Sequence, residues 1–194
     1  MPRIPFAYLL VLVLACVLAA PAGAQTVATP IAPSATTGGS AFGEGNPADG
    51  MQIAGETAQL LPGGKAAAPV GAPLAVQQAI ATANEIIGRP YIYGGGHRSF
   101  ISRGYDCSGT VSYALHGGSL LSSPLDSSSF LSWGASGRGS WITVYTNPGH
   151  AYVVIAGLRL DTSAAGDPSG AKGPRWRPVL RSAAGFRARH PLGL

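Results

Sequence analysis

Between residues 25 and 72 the chain carries one aromatic side chain, Phe42, in a run of Ala, Gly, Pro, Thr and Ser. A segment this poor in large apolar groups cannot offset the entropy lost on ordering it. Residues 25–72 are therefore expected to be a flexible spacer. A weak apolar cluster at residues 51–61 is its one candidate for a short helix. The core must come from residue 73 onward, and with 28 Gly and 16 Pro in 194 residues a single compact core over the full length is excluded. Two cysteines are too few for a disulfide scaffold or a cysteine zinc site.

The first 24 residues have a different character. Arg3 supplies a short positive segment, residues 4–20 are apolar, and Ala22-Gly23-Ala24 offers the small residues a signal peptidase reads. Residues 1–24 are expected to be a secretory signal cut before Gln25. The apolar run is at the short limit for spanning a bilayer. Cys16 follows the bulky Leu14 and precedes more apolar chain, which fits a lipoprotein site poorly. The expectation is an exported, cell-envelope protein with no integral membrane segment after cleavage. Cleavage leaves Cys107 as the sole cysteine. An unpaired thiol is a buried small hydrophobe, an intermolecular link or a reactive nucleophile.

Residues 73–194 form the expected domain. Val76, Ile80, Ala83 and Ile87 recur at helical spacing after Pro73, and Gly88 and Pro90 end the run. A glycine-rich loop, 89–97, follows. Asp106 is a good N-cap for a second helix with Cys107, Val111, Ala114 and Leu115 on one face, stopped by Gly117-Gly118. Residues 130–133 suit a short helical turn. Strand patterns follow at 141–145, 150–156 and 158–162, and a final strand is expected near 178–180. Helices first and antiparallel strands after predict an α+β fold.

The chemistry centres on Cys107. It opens a helix, where unpaired N–H groups and the helix dipole favour a thiolate. A thiolate nucleophile needs a base, and the base needs an orienting group. His150, at the start of a strand just after Pro148-Gly149, is the candidate base. If Ala156-Gly157 is a two-residue hairpin turn, Ile155 pairs with Leu158, Val154 with Arg159, Val153 with Leu160 and Tyr152 with Asp161. Asp161 then shares a face with His150, one diagonal step away. A three-residue turn would put it on the opposite face. Asp161 could instead pair with Arg159 or cap a turn, leaving Ser163, Asn147 or His190 as the third group.

Pro90-Tyr91, Gly94-Gly95, Tyr105-Asp106-Cys107-Ser108-Gly109 and Gly149-His150 together resemble the NlpC-type bacterial cell-wall cysteine peptidases, over residues 73–165. The resemblance implies a papain-like fold, with helices packed on a central antiparallel sheet. It implies Cys107 as nucleophile and His150 as base, Tyr91 in the substrate cleft near the oxyanion, and Asp106 and Ser108 holding the free amino end of the substrate. The implied activity is cleavage of amide bonds in peptidoglycan stem peptides, typically after a D-glutamyl residue, without metal or other cofactor. The third residue in that family is commonly His, Asn or Gln, so Asp161 is a departure. Two rivals are a non-catalytic wall-binding module of the same fold, and a thiol acyltransferase or amidase acting on another amide or ester.

The other features invite plainer readings. His97 is expected to be a solvated loop residue, and His116 suits the end of its helix. The glycine run 94–96 lacks the lysine of a phosphate loop. Lys172, Arg175, Arg177, Arg181, Arg187 and Arg189 form a basic tail read first as solvated surface. Its charge suits anionic wall polymers better than nucleic acid, which an exported protein does not meet first. Trp141 and Trp176 are expected to pack in the core or at its edge, and Trp133 to line the cleft.

Overall fold

The computed structural model describes residues 51–178 and 180–194. The expected signal segment and residues 25–50 of the expected spacer lie outside the described residues. The architecture is mixed α+β. Three short strands, β1 (Gln52–Ile53), β2 (Gln59–Leu60) and β3 (Ala66–Pro69), come first, then helices α1 (Leu74–Ile86) and α2 (Cys107–Gly117). A 3₁₀ turn (Ser129–Ser132) follows, then β4 (Ala135–Ser136), β5 (Ile142–Asn147), β6 (His150–Ile155), β7 (Leu158–Asp161), β8 (Arg175–Arg177) and β9 (Arg187–His190). The strands β4 to β9 form one six-stranded antiparallel sheet in the order β4-β9-β5-β6-β7-β8.

Residues 51–72 are ordered rather than the flexible spacer expected there, and residues 51–61 are not helical. Residues 52–69 contribute a small sheet in the order β1-β3-β2. Its central strand is built from alanines: Ala66, Ala67 and Ala68 are no more than 3% exposed. Small side chains bury little area of their own, but they let a backbone approach a helix closely. Here α1 supplies the apolar partners, Val76, Ala79, Ile80 and Ala83. The entropy argument counted only the segment's own side chains and missed the surface waiting for it.

Asn84 on α1 fixes this arrangement. Its amide donates to Ala66 O (2.8 Å) and its Oδ1 accepts from Ala66 N (2.9 Å) and from Trp176 Nε1 (2.8 Å). One buried side chain thus ties α1 to β3 and to β8. Asn84→Ala leaves those three groups without a partner, each costing about 1–3 kcal/mol. We expect a loss of about 3 kcal/mol in urea unfolding, read also as a fall of about 10 °C in the thermal midpoint.

The helices match their sequence signals. α1 starts after Pro73, and Gly88 (φ +87°) ends its run. α2 starts after Asp106, whose Oδ1 accepts from Gly109 N at 2.8 Å. On the sheet, Ile142, Val144, Val153, Ile155 and Leu160 are fully buried and join Val111, Ala114 and Leu115 of α2 in one core. The opposite face of β6 and β7 carries His150, Tyr152, Arg159 and Asp161.

The hairpin register is as expected. Val153 faces Leu160, Val154 faces Arg159 and Ile155 faces Leu158. Ala156 (φ +46°) and Gly157 (φ +81°) both lie in the left-handed region, as a type I′ turn requires. The C-terminal segment is different. The final strand lies not at 178–180 but on either side of it, as β8 and β9. β9 inserts between β4 and β5, so the basic segment is part of the sheet rather than a tail. Arg177 is fully buried: its guanidinium donates to Asp161 O (3.1 Å), Asp167 Oδ2 (2.6 Å) and Ala171 O (2.8 Å). That pairing with the Arg177 guanidinium holds the Asp167 carboxyl well down, to about 2. A guanidinium with this many fixed acceptors can leave water, which charge counting along the sequence does not reveal.

Candidate active site

Three local devices converge at the start of α2. The first is the Asp106 cap, which fixes Cys107 as the opening residue of the helix with 8% of its surface exposed. The second is the glycine loop. A Cβ on Gly109 would collide with Gly95 O, and one on Gly95 would collide with Gly104 O. The loop therefore lies directly against the helix N-terminus, and Gly94 N donates to Asp106 Oδ2 at 3.0 Å. The third is the turn 147–150, where Asn147 Oδ1 accepts from both Gly149 N and His150 N at 2.9 Å. It sets His150 as the first residue of β6.

His150 Nε2 donates to Asp161 Oδ1 at 2.9 Å. A carboxylate only accepts, so Nε2 carries a proton, and Nδ1 is the ring nitrogen that Asp161 leaves unengaged. Burial would push the imidazole down from its usual pKa. The Asp161 hydrogen bond and the neighbouring Cys107 thiol outweigh that and raise it to about 9. Asp161 is 1% exposed and also accepts from Ser163 N (2.8 Å) and Arg181 Nη1 (3.3 Å). Arg159 Nε is 3.9 Å from its second oxygen. Burial pushes the Arg159 guanidinium down from its usual range, and Asp161 opposes that shift.

Two clefts meet at Tyr91. One, of about 420 Å³, is lined by Tyr91, His97, Asp106, Cys107 and Ser108 among others. The second, of about 320 Å³, is lined by Tyr91, His150, Thr162, Ser163, Ala164 and Lys172. A larger hollow of about 570 Å³ beside Trp141 and the Ala156-Gly157 turn contains none of these groups. Burial, and after it the nearby Cys107 and Asp106, push the Tyr91 phenol up from its usual value. It stays a hydroxyl donor at neutral pH.

The structure thus brings Cys107, His150, Asp161, Tyr91, Asp106 and Ser108 into one region. The alternatives for the third group are engaged elsewhere. Ser163 Oγ accepts from Ala165 N at 3.2 Å, Asn147 caps its own turn, and His190 is bonded to Gly137 O. His97 is not a free loop residue: its Nε2 is 2.9 Å from Asp106 Oδ2 and 3.0 Å from Ser108 Oγ. His116 stacks on Phe100 at 3.8 Å. Trp133 does not line the cleft; it packs edge-on against Phe130.

Two further residues at the site carry no signal in the sequence. Phe186 sets its ring edge-on to His150 at 6.1 Å, and the Arg181 guanidinium lies over the rings of Tyr152 and Phe186 at 5.3 and 5.0 Å. Both come from the connection between β8 and β9, which no local pattern places beside β6.

Among the described residues no group of three His, Cys, Asp or Glu is placed to hold a metal ion. No described helix is long and apolar enough to cross a membrane. The chain is similar to the solved structure of the peptidoglycan hydrolase RipB from Mycobacterium tuberculosis, at 22% identity and a TM-score of 0.44, over 63% of this chain and 73% of that one. No family model matches the chain, and no curated protein matches it.

Proposed function

We propose that this chain is an exported cysteine endopeptidase that hydrolyses amide bonds in peptidoglycan stem peptides. The observation that carries the proposal is the Asp161-held His150 imidazole beside the Cys107 thiol at a Tyr91-lined cleft. The wall-peptide class follows the Pro90-Tyr91, Asp106-Cys107-Ser108-Gly109 and Gly149-His150 resemblance.

The chemistry is acyl transfer to water. His150 Nδ1 takes the Cys107 proton, giving a thiolate–imidazolium pair. The thiolate attacks the substrate carbonyl, and the oxyanion is met by the Cys107 backbone N–H and the Tyr91 hydroxyl. The tetrahedral species collapses, the C–N bond breaks, and the imidazolium proton leaves on the amine. Nδ1 then takes a proton from water, hydroxide adds to the thioester, and the carboxylic acid departs from the restored thiol. Asp161 holds the tautomer and favours the imidazolium. Asp106 and Ser108 build the wall of the acyl-side pocket.

Purified peptidoglycan incubated with the protein tests this. Mass spectrometry is expected to find soluble peptides with a new amine end inside the stem and a matching carboxyl end. An acyl group transferred to another nucleophile would favour the acyltransferase reading, and wall binding with no released peptide would favour the non-catalytic one.

A further inference from the structure

We infer that Arg181 is a positioning residue for the Cys107–His150 pair. It shares the Asp161 carboxylate with the imidazole, fixes which oxygen faces the ring and limits how tightly the ring holds its proton. The role rests on the peptidase proposal, but its effect on the ring can be read without turnover.

The two Asp161 oxygens are divided between different partners. Oδ1 accepts from His150 Nε2 at 2.9 Å and from Ser163 N at 2.8 Å. Oδ2 accepts from Arg181 Nη1 at 3.3 Å. The carboxylate is fully buried, and a buried acceptor needs a partner. Among the described residues, Arg181 is the one that hydrogen-bonds to Oδ2. Arg159 Nε stands 3.9 Å off, and its Nη1 donates to Ala165 O at 2.9 Å. Arg177 is engaged by Asp167 and by main-chain carbonyls. Arg175, opposite Asp161 in the ladder, donates to Pro174 O at 3.0 Å.

Arg181 is also held independently of the carboxylate. Its guanidinium lies 5.3 Å from the Tyr152 ring centre and 5.0 Å from that of Phe186, within cation–π range. Those two rings meet edge to face at 5.1 Å, and Tyr145 stacks on Tyr152 at 5.0 Å. This aromatic seat does not change with the charge on the imidazole.

Charge sets the sign of the effect. Asp161, the Cys107 thiol, Arg181 and Tyr152 surround the imidazole, with Lys172 and Tyr91 lining the same cleft. Burial works against the imidazolium, while Asp161 and Cys107 reverse that and lift the pKa to about 9. Tyr152 is pushed up to about 12, by burial first, and stays a neutral phenol. Once His150 is protonated, it and Arg181 are two cations on one buried anion, and each disfavours the other. Arg181 therefore restrains the lift that Asp161 gives. A base that holds its proton too tightly serves the leaving amine poorly.

The test reads the ring directly. The His150 imidazole signals are titrated by NMR in the Cys107→Ala protein and identified by their loss in His150→Gln. Adding Arg181→Gln is expected to raise the His150 midpoint by about half a unit or more. Arg181→Lys keeps the charge without the planar fork, and is expected to bring the midpoint most of the way back. The chain is exposed on both sides of Arg181, so both variants are expected to fold. An unchanged or lowered midpoint in Arg181→Gln overturns the inference, as does a lysine variant that titrates like the glutamine one. Simple damage to the Asp161–His150 bond would lower the midpoint, so a merely structural role has the opposite sign. With Cys107 present, the basic limb of kcat/KM is expected to move up with the midpoint in Arg181→Gln. A limb that stays put while the midpoint rises overturns the role in the pair. A raised midpoint in a protein that releases no wall peptide sinks the peptidase proposal and leaves the hold of Arg181 on the ring standing.

Discussion

Replacing Cys107 by alanine is expected to lower peptide release from purified wall by about 10⁴-fold or more, since loss of a nucleophile removes the whole covalent route. The fold should survive. Cys107 is the first residue of α2, alanine is the best helix former, and the Asp106 cap does not use the sulfur. The only structural loss is a small thiol that is 8% exposed. Thermal unfolding within a few degrees of wild type, together with lost activity, is the expected pair of results. Release at the wild-type rate would end the peptidase proposal.

Asp161→Asn is expected to reduce kcat/KM by about 10²–10⁴-fold, as loss of the orienting carboxylate does in other nucleophile–histidine systems. Asparagine keeps the shape and can misassign the tautomer, by donating where Asp161 accepts. The pH dependence distinguishes this from simple damage. Burial pulls the His150 pKa down, and Asp161 is the larger of the two influences that lift it to about 9. Without the carboxylate the basic limb of kcat/KM should move down by a unit or more. Stability should follow the same sign. The folded-state pKa of His150 exceeds the unfolded value near 6.5, so its protonation contributes stability that is full below about pH 6.5 and lost as pH rises through about 9. Urea unfolding at pH 6 and pH 10 should show this difference in wild type and a smaller one in the variant. An unchanged pH profile would mean that Asp161 does not set the imidazole.

Local chemistry made much of the site legible in the sequence. The Ala156-Gly157 turn has two residues, which fixes Asp161 on the face of His150, and the observed ladder has that register. Asp106 announces the start of α2, and the cap places Cys107 there. What stayed hidden depends on distant partners. β3 looks like low-complexity chain until α1 and Asn84 are set against it. Arg177 looks like solvent-facing charge until Asp167 and the carbonyls of the same loop surround it. His97 lies nine residues from Asp106, too irregularly connected for any periodicity to pair them. Arg181 and Phe186 reach His150 and Tyr152 only because β9 returns to the sheet.

That return has a bearing on trimming. β9 hydrogen-bonds to β5, the neighbour of the strand that begins with His150, and the segment bringing Arg181 and Phe186 to the imidazole comes immediately before it. A chain cut before residue 181 would leave β5 with a bare ladder and the back of the His150 ring uncovered. Cys107 and His150 would still be present, without the guanidinium and the aromatic ring behind the imidazole. Whatever chemistry that pair carries should therefore be sensitive to loss of residues 181–194, none of which lines either cleft.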